Sequence, residues 1–273
     1  MRIDLHVHST ASDGTDSPAD LLHRVAATGL DVVALTDHDT FAGYEQVRHS
    51  VPEGLVLVPG VEISTRRGPA TVHLLGYLVD PGDAHLVEAL AASRRSRVDR
   101  ARQIVARLAA DGYPVAWEQV LARSGPGGPV GRPHIADVLV EAGSVADRTA
   151  AFDGPLRADG PYYVPYDVPD PVDVVALVRA AGGVSVLAHP GAPGRGGALT
   201  RELVVELSRV GLAGMEVDHP DHTSAARARL RALAVDLGLV ITGSSDYHGT
   251  GKPNRLGEFV TAPDQYEALM GAR

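Results

Sequence analysis

The sequence predicts an α/β barrel of parallel strands interrupted by a helical insertion, and three observations carry that prediction. Apolar runs of strand length alternate with helical patterns from the first residues onward. A long stretch in the middle of the chain reads as helix with no convincing strand inside it. Histidines and carboxylates recur at the ends of the apolar runs, and a closed parallel barrel gathers its strand ends on one rim. The 273 residues, 44% of them hydrophobic, suffice for one large domain carrying an insertion. The expected division is a first barrel part over 1–90, a helical insertion over 91–167 and a second barrel part over 168–273.

The elements follow in order. IDLHVH is a strand, and Ser17-Pro18 supplies an N-cap and first helical position for a helix closed by Gly29. DVVALT is the second strand, with a short helix near Gly43 to Ser50. LVLVPGVE and TVHLLGYLV are the next two. A long helix is predicted from about Ala84 to Ala110, with shorter ones near Ala116 to Arg123 and His134 to Ala142. The barrel rhythm resumes at about Pro171 with VVALVRAAGG and VSVLAH, a helix near Leu203, LAGMEV, a helix near Ala225 to Leu237, and LVITGSSD. No repeat of solenoid period is present.

His6 and His8 stand two apart on the first strand, so they face the same side, as a metal clamp requires. Asp13 follows closely. VVALTDHD ends in Asp37, His38 and Asp39, and LVLVPGVE ends in Glu62. His73 lies in TVHLLGYLV, His189 ends VSVLAHP, and Asp246 and His248 end VITGSSDYH. Taken singly, each is an ordinary strand-end residue. Taken together, so many ionisable groups at separate strand ends point to a metal site, because burying them without a partner is costly. Of the remaining histidines, only His219 and His222 follow a strand and would line the same rim.

Composition narrows the chemistry. There is no cysteine, which excludes disulfides, thiolate metal sites and cysteine nucleophiles. The net charge of −9 argues against long nucleic acids as partners unless a local basic patch intervenes. No apolar run is long enough for a membrane span, and the first residues read as a charged strand start rather than a signal peptide, so a cytoplasmic location is expected. The segment SRRSRVDRAR, with five arginines in ten residues, reads as a solvated helix face in preference to a nucleic-acid surface. The loop SGPGGPVGRP is either a plain connection or an amide cradle for phosphate.

These motifs, HVHS at 6–9, SDG at 12–14, TDHD at 36–39, PGVE ending in Glu62, AHP at 188–190 and SDYH at 245–248, resemble those of the PHP family, named for polymerase and histidinol phosphatase. GRPH at 131–134 and YVP at 163–165 are similar to its stand-alone phosphoesterases, which include enzymes acting on nucleoside 3′,5′-bisphosphates and short oligoribonucleotides. The resemblance implies a distorted (β/α)7 barrel with a trinuclear metal site. It implies that His6, His8, Glu62 and Asp246 hold the first metal, Glu62, His73 and His189 the second, and Asp13, His38 and His248 the third. Several relatives carry histidine where Asp13 stands. A carboxylate is a harder donor, which favours manganese or iron over zinc, with manganese preferred. Tyr166 stands where relatives often carry a basic residue.

The expected activity is hydrolysis of a phosphate monoester on a small substrate, a nucleoside bisphosphate or short RNA, by a hydroxide activated by two or three divalent ions. Asp246 or His248 would manage proton transfer. Arg132, His134 and Lys252 are the candidates for binding substrate phosphate, the alternative for Arg132 being a solvent-facing residue at a helix start. Competing readings are a histidinol-phosphate phosphatase, a non-catalytic accessory module and a metal amidase.

Overall fold

The computed structural model describes residues 1–68, 70–124, 130–192 and 199–272. Seven strands lie side by side in chain order. They are β1 (Ile3–Val7), β2 (Val32–Leu35), β3 (Val56–Arg67), β4 (Ala70–Tyr77), β5 (Val184–Leu187), β6 (Gly214–Asp218) and β7 (Val240–Gly243). A bridge between Val7 and Tyr247, with the His8 N–H donating to the Tyr247 carbonyl at 2.9 Å, brings the last strand back to the first and nearly closes the barrel.

The strands are not all parallel. β4 runs antiparallel to both β3 and β5, while the other neighbouring pairs are parallel. The cause is the connection. β3 and β4 are separated by two residues, with Gly68 at φ +57°. So short a link can only reverse the chain, because a parallel crossover needs a dozen residues or more.

Helices α1 (Pro18–Ala27), α2 (Ala42–Val47), α7 (Pro171–Ala180), α8 (Arg201–Val210), α9 (Ser224–Leu237) and α10 (Pro263–Gly271) belong to the barrel part of the chain. Ser17 caps α1 through its side chain, Pro18 opens the helix and Gly29 follows it in the left-handed region. VVALVRAAGG is helix α7, not strand: Asp170 caps it and Pro171 holds its first position. The second half of the chain therefore supplies three strands.

Between β4 and α7 lie α3 (Ala84–Ala110), α4 (Trp117–Arg123), α5 (Arg132–Glu141) and α6 (Arg148–Asp153). The long helix α3 serves two cores. Leu86 and Leu90 pack with Val61, Leu74, Val174 and Val178 against the barrel. Further along, Ala101, Ile104, Val105 and Leu108 pack with Val120, Ile135, Leu139, Ala151 and Val164 in a separate core. Residues 125–129 of the SGPGGPVGRP loop lie outside the described residues, and with them the reading of that loop as an amide cradle. Among the described residues, no helix is long and apolar enough to cross a membrane.

Candidate metal centre

Alternation on β1 sets the site. Ile3, Leu5 and Val7 take one face, and Asp4, His6 and His8 the other, all of them buried. His6 Nε2 and His8 Nε2 are 3.0 Å apart. Asp246 Oδ1 stands 3.6 and 3.4 Å from them, and Glu62 Oε2 stands 3.4 and 3.2 Å from them. The other Glu62 oxygen meets His73 Nδ1 at 2.7 Å and His189 Nε2 at 2.8 Å. Asp13 collects a third group: Oδ1 lies 3.3 Å from His248 Nε2, and Oδ2 lies 3.7 Å from His38 Nε2. The nine residues picked out by sequence as metal ligands thus come together in one buried site, and Glu62 is common to two of its groups.

The donor chemistry fits divalent ions. His6 Nδ1 faces Glu216 Oε1 at 3.0 Å, so a metal-binding ring would keep its proton there and turn the Nε2 lone pair towards His8, Glu62 and Asp246. His248 Nδ1 donates to the Asp246 carbonyl at 2.8 Å, which frees Nε2 towards Asp13. Histidine nitrogens and carboxylate oxygens in this mixture suit manganese, iron or zinc.

Charge balance holds the cluster together. Burial alone would raise the carboxyls of Asp13, Glu62 and Asp246, but the facing histidines, together with Lys252 in the case of Asp246, hold all three well below the usual carboxylate range. Burial would raise Glu216 too, yet His6 and its neighbours hold it at about 2. Burial pushes His8 down, while Asp246, Glu62 and Asp13 outweigh it and lift the ring to about 9. This raised value has a measurable consequence. Below about 9 the metal-free protein keeps a proton on His8, and the carboxylates Glu216, Glu62 and Asp246 outweigh burial to raise His6 well above its usual range too, so a divalent ion bound by these rings would displace protons, and manganese affinity is expected to rise with pH through that region. Calorimetry in buffers of different ionisation enthalpy measures both, and an affinity that does not move between about pH 6 and 9 would contradict it.

The backbone is strained at the same place. Among the described residues, four non-glycine residues have positive φ, and three of them, Asp39 (54°), His189 (30°) and Asp246 (50°), lie at the site. Asp39 is held there by the Ser64 N–H and hydroxyl, each at 2.8 Å, and by Arg97 Nε at 2.7 Å. Asp37 takes the Ser9 N–H at 2.8 Å and the Ser9 and Ser12 hydroxyls at 2.7 and 2.6 Å, so it fixes the loop that carries Asp13.

The three phosphate-binding candidates sit differently. Lys252 Nζ lies 2.6 Å from Asp246 Oδ2, at the metal centre. His134 is buried between backbone groups: Nδ1 accepts from the Gly131 N–H at 3.0 Å, and Nε2 donates to the Ser12 carbonyl at 3.0 Å. Arg132 donates to the Leu156 carbonyl at 3.0 Å and lies over the Phe152 ring, in the insertion.

Sequence reading missed other members. Glu216 sits inside the apolar run LAGMEV, where a carboxylate is itself a signal, and accepts from the His189 N–H at 2.7 Å and from the Ser244 hydroxyl. The solvated-face reading of SRRSRVDRAR is corrected for Arg94, Arg97 and Arg100. These are spaced i, i+3, i+6 and turn towards the protein, while Arg95 faces out and pairs with Glu88. Arg97 is 10% exposed, on Asp39 and the Ser64 hydroxyl, and Arg94 donates to the Asp39 carbonyl. Arg97, Arg100 and Arg132 line one small gap with Ala101, Ile104, Val130 and Gly131. Arg100 stacks over the buried Tyr166 ring at 4.5 Å and donates to the Val164 carbonyl at 2.7 Å. Among the described residues, no carboxylate lies within ion-pair distance of Arg100.

Comparison with known proteins points the same way. A family model described as PHP domain matches residues 4–115. The chain is 33% identical to a 3′,5′-nucleoside bisphosphate phosphatase of Chromobacterium violaceum, over 93% of this chain and 89% of that one. It is 34% identical to the 5′-3′ exoribonuclease Rnm of Escherichia coli, over 97% and 92%. Among solved structures, a candidate metal-dependent phosphoesterase of Bifidobacterium adolescentis superposes with TM-score 0.94 at 38% identity, covering 99% of this chain and 96% of that one. An amidohydrolase of Chromobacterium violaceum, determined with sulfate bound, superposes with TM-score 0.88 at 31% identity, covering 100% and 97%.

Proposed function

The chain belongs to the PHP family and is a metal-dependent phosphoesterase, and from that premise we propose that it removes phosphate from nucleoside 3′,5′-bisphosphates, with 5′-phosphorylated short RNA as a further substrate. The observation that carries the substrate is the likeness over nearly the whole chain to a 3′,5′-nucleoside bisphosphate phosphatase and to a 5′-3′ exoribonuclease. Arg97, Arg100 and Arg132 gather round one small gap, and Arg100, which pairs with no carboxylate among the described residues, is the guanidinium left to meet a second phosphate away from the scissile one. Histidinol phosphate would bring a cationic amine towards these guanidinium groups, and so suits them less well.

His6, His8, Glu62 and Asp246 would hold one divalent ion, Glu62, His73 and His189 a second, and Asp13, His38 and His248 a third, with manganese favoured by the added carboxylate. When bound, such ions lower the pKa of water and neutralise charge growing on the phosphoryl oxygens. The chain's own groups do the rest. Glu216 fixes the His6 tautomer, Asp37 holds the Asp13 loop, and His134 and Arg148, which donate to the carbonyls of Ser12 and Asp13, tie the insertion to the rim. Arg97 holds α3 against Asp39, and Arg100 turns its guanidinium towards the substrate. With Tyr166 in place of a basic residue, the positive charge at that position is supplied by Arg100 stacked on the ring.

The test is phosphate release by manganese-loaded protein from adenosine 3′,5′-bisphosphate, a short 5′-phosphorylated RNA, histidinol phosphate and p-nitrophenyl phosphate. Preference for the bisphosphate supports the proposal; preference for histidinol phosphate, or hydrolysis of amides alone, overturns it. Arg100→Ala gives a sharper result. Loss of a charged hydrogen bond is worth about 1.5–3 kcal/mol, so KM for the bisphosphate is expected to rise roughly 10- to 150-fold. Turnover of p-nitrophenyl phosphate, which has no second phosphate, should change less than about twofold. Equal losses on both substrates would place Arg100 in the fold instead of at the second phosphate.

A further inference from the structure

Beyond β6 the chain turns over His219, which is fully buried at the metal centre yet absent from the three proposed ligand groups. Its Nδ1 accepts a hydrogen bond from the Asp221 N–H at 3.1 Å. A neutral imidazole that accepts at Nδ1 carries its proton on Nε2. That nitrogen finds no well-aligned partner among the described residues, and Asp246 Oδ2 stands 3.4 Å from it. Lys252 Nζ meets the same oxygen at 2.6 Å. The other oxygen, Oδ1, faces His6 Nε2, His8 Nε2 and His248 Nδ1 at 3.6, 3.4 and 3.5 Å. The two oxygens of one carboxylate thus have separate surroundings.

We propose that His219 and Lys252 form a clamp on Asp246 Oδ2 that presents Oδ1 to the metal position between His6 and His8. The inference rests on the metal-centre reading above. His219 acts here as a positioning residue and not as a ligand. The donor atoms of His6, Glu216 and His219 do lie within 4.8 Å of one another. Ligation through Nε2, however, would strip the ring of its remaining proton while Nδ1 still accepts from Asp221, leaving an anionic imidazolate. Asp246 needs a clamp because its backbone does not hold it passively: its φ of 50° is unfavourable for a non-glycine residue. The clamp closes from two directions, His219 from the turn after β6 and Lys252 from the turn after His248. Asn254 braces the same turn from behind, donating to the Ser245 carbonyl at 2.9 Å.

The experiment compares His219→Leu, His219→Gln and Lys252→Met with wild type by equilibrium dialysis against manganese and by metal analysis. His219→Leu and Lys252→Met are expected to weaken one manganese site 10- to 100-fold. The accompanying loss of activity should appear in kcat, with KM little changed. His219→Gln places an amide N–H near the Nε2 position and should recover most of the affinity. Lys252 is 32% exposed, so its variant reports even if the leucine variant folds poorly. Unchanged manganese binding in both Leu and Met variants overturns the clamp, as does a glutamine variant no better than leucine, which would mean that the ring only fills space. Wild-type protein that takes up no divalent ion overturns the metal-centre reading and the clamp with it, and is told apart by that result.

Discussion

Glu62→Ala is expected to abolish phosphate release, by more than about a thousandfold, and to lower the metal content of the protein. The carboxylate lies at the junction of two ligand groups. One oxygen meets His73 and His189, and the other stands near His6, His8 and His38 at 3.4, 3.2 and 3.0 Å. Its loss removes a ligand from each group at once and leaves several buried histidines without their main counter-charge. Glu62→Gln keeps the volume while removing the charge, so comparing the two separates packing from ligation: both should be inactive, with the glutamine protein closer to wild type in thermal stability. Phosphate release measured beside metal stoichiometry decides the matter. Full activity in Glu62→Ala would sink the assignment of a shared ligand, and with it the three-metal reading.

Much of this site was legible because strand geometry is periodic. Two histidines two apart on β1 must share a face, whatever the rest of the fold does. The strand-end reading does not hold for Glu62 and His73: β3 runs on through Glu62 to Arg67, and His73 lies inside β4. Strand direction was not legible from periodicity. An alternation of period two looks the same in parallel and antiparallel strands, and only the shortness of the link at Gly68 distinguishes them, which is why β4 was expected to run parallel. The helix α3 shows the same limit. Arg94, Arg97 and Arg100 share a face by their spacing, but whether that face meets water or Asp39 is decided by how the helix docks, which composition does not encode. Residue type was equally insufficient for His134. A histidine beside an arginine in GRPH suggested a phosphate contact, whereas both ring nitrogens are engaged by the backbone. The short α6 and the C-terminal α10 were missed, because six residues of RTAAFD show too little periodicity and α10 has no side-chain cap.

Arg97→Met is expected to cost about 3–5 kcal/mol of folding stability, the usual penalty for removing one partner of a buried ion pair. Asp39 is fully buried. Without the guanidinium, its carboxylate keeps the Ser64 N–H and hydroxyl but loses its direct ion-pair partner, with Arg94 reaching only the Asp39 carbonyl. Arg97→Met with Asp39→Asn removes both charges, so the double variant should be more stable than Arg97→Met alone. This result separates a charge left stranded from simple loss of packing. The location of the damage can be read as well. Trp117 is the only tryptophan and packs against the separate helical core, and Arg97 is one of the links between that core and the barrel rim. Tryptophan fluorescence therefore follows the helical insertion, while far-ultraviolet circular dichroism follows the whole chain. In wild type the two urea transitions should coincide. In Arg97→Met the fluorescence transition should come first, because the insertion has lost a charged tie to the rim while its own apolar core is untouched. Coincident transitions with a midpoint unchanged from wild type would mean that the ion pair contributes nothing to docking. The rim contacts of His134 and Arg148 would then have to hold the insertion against the barrel.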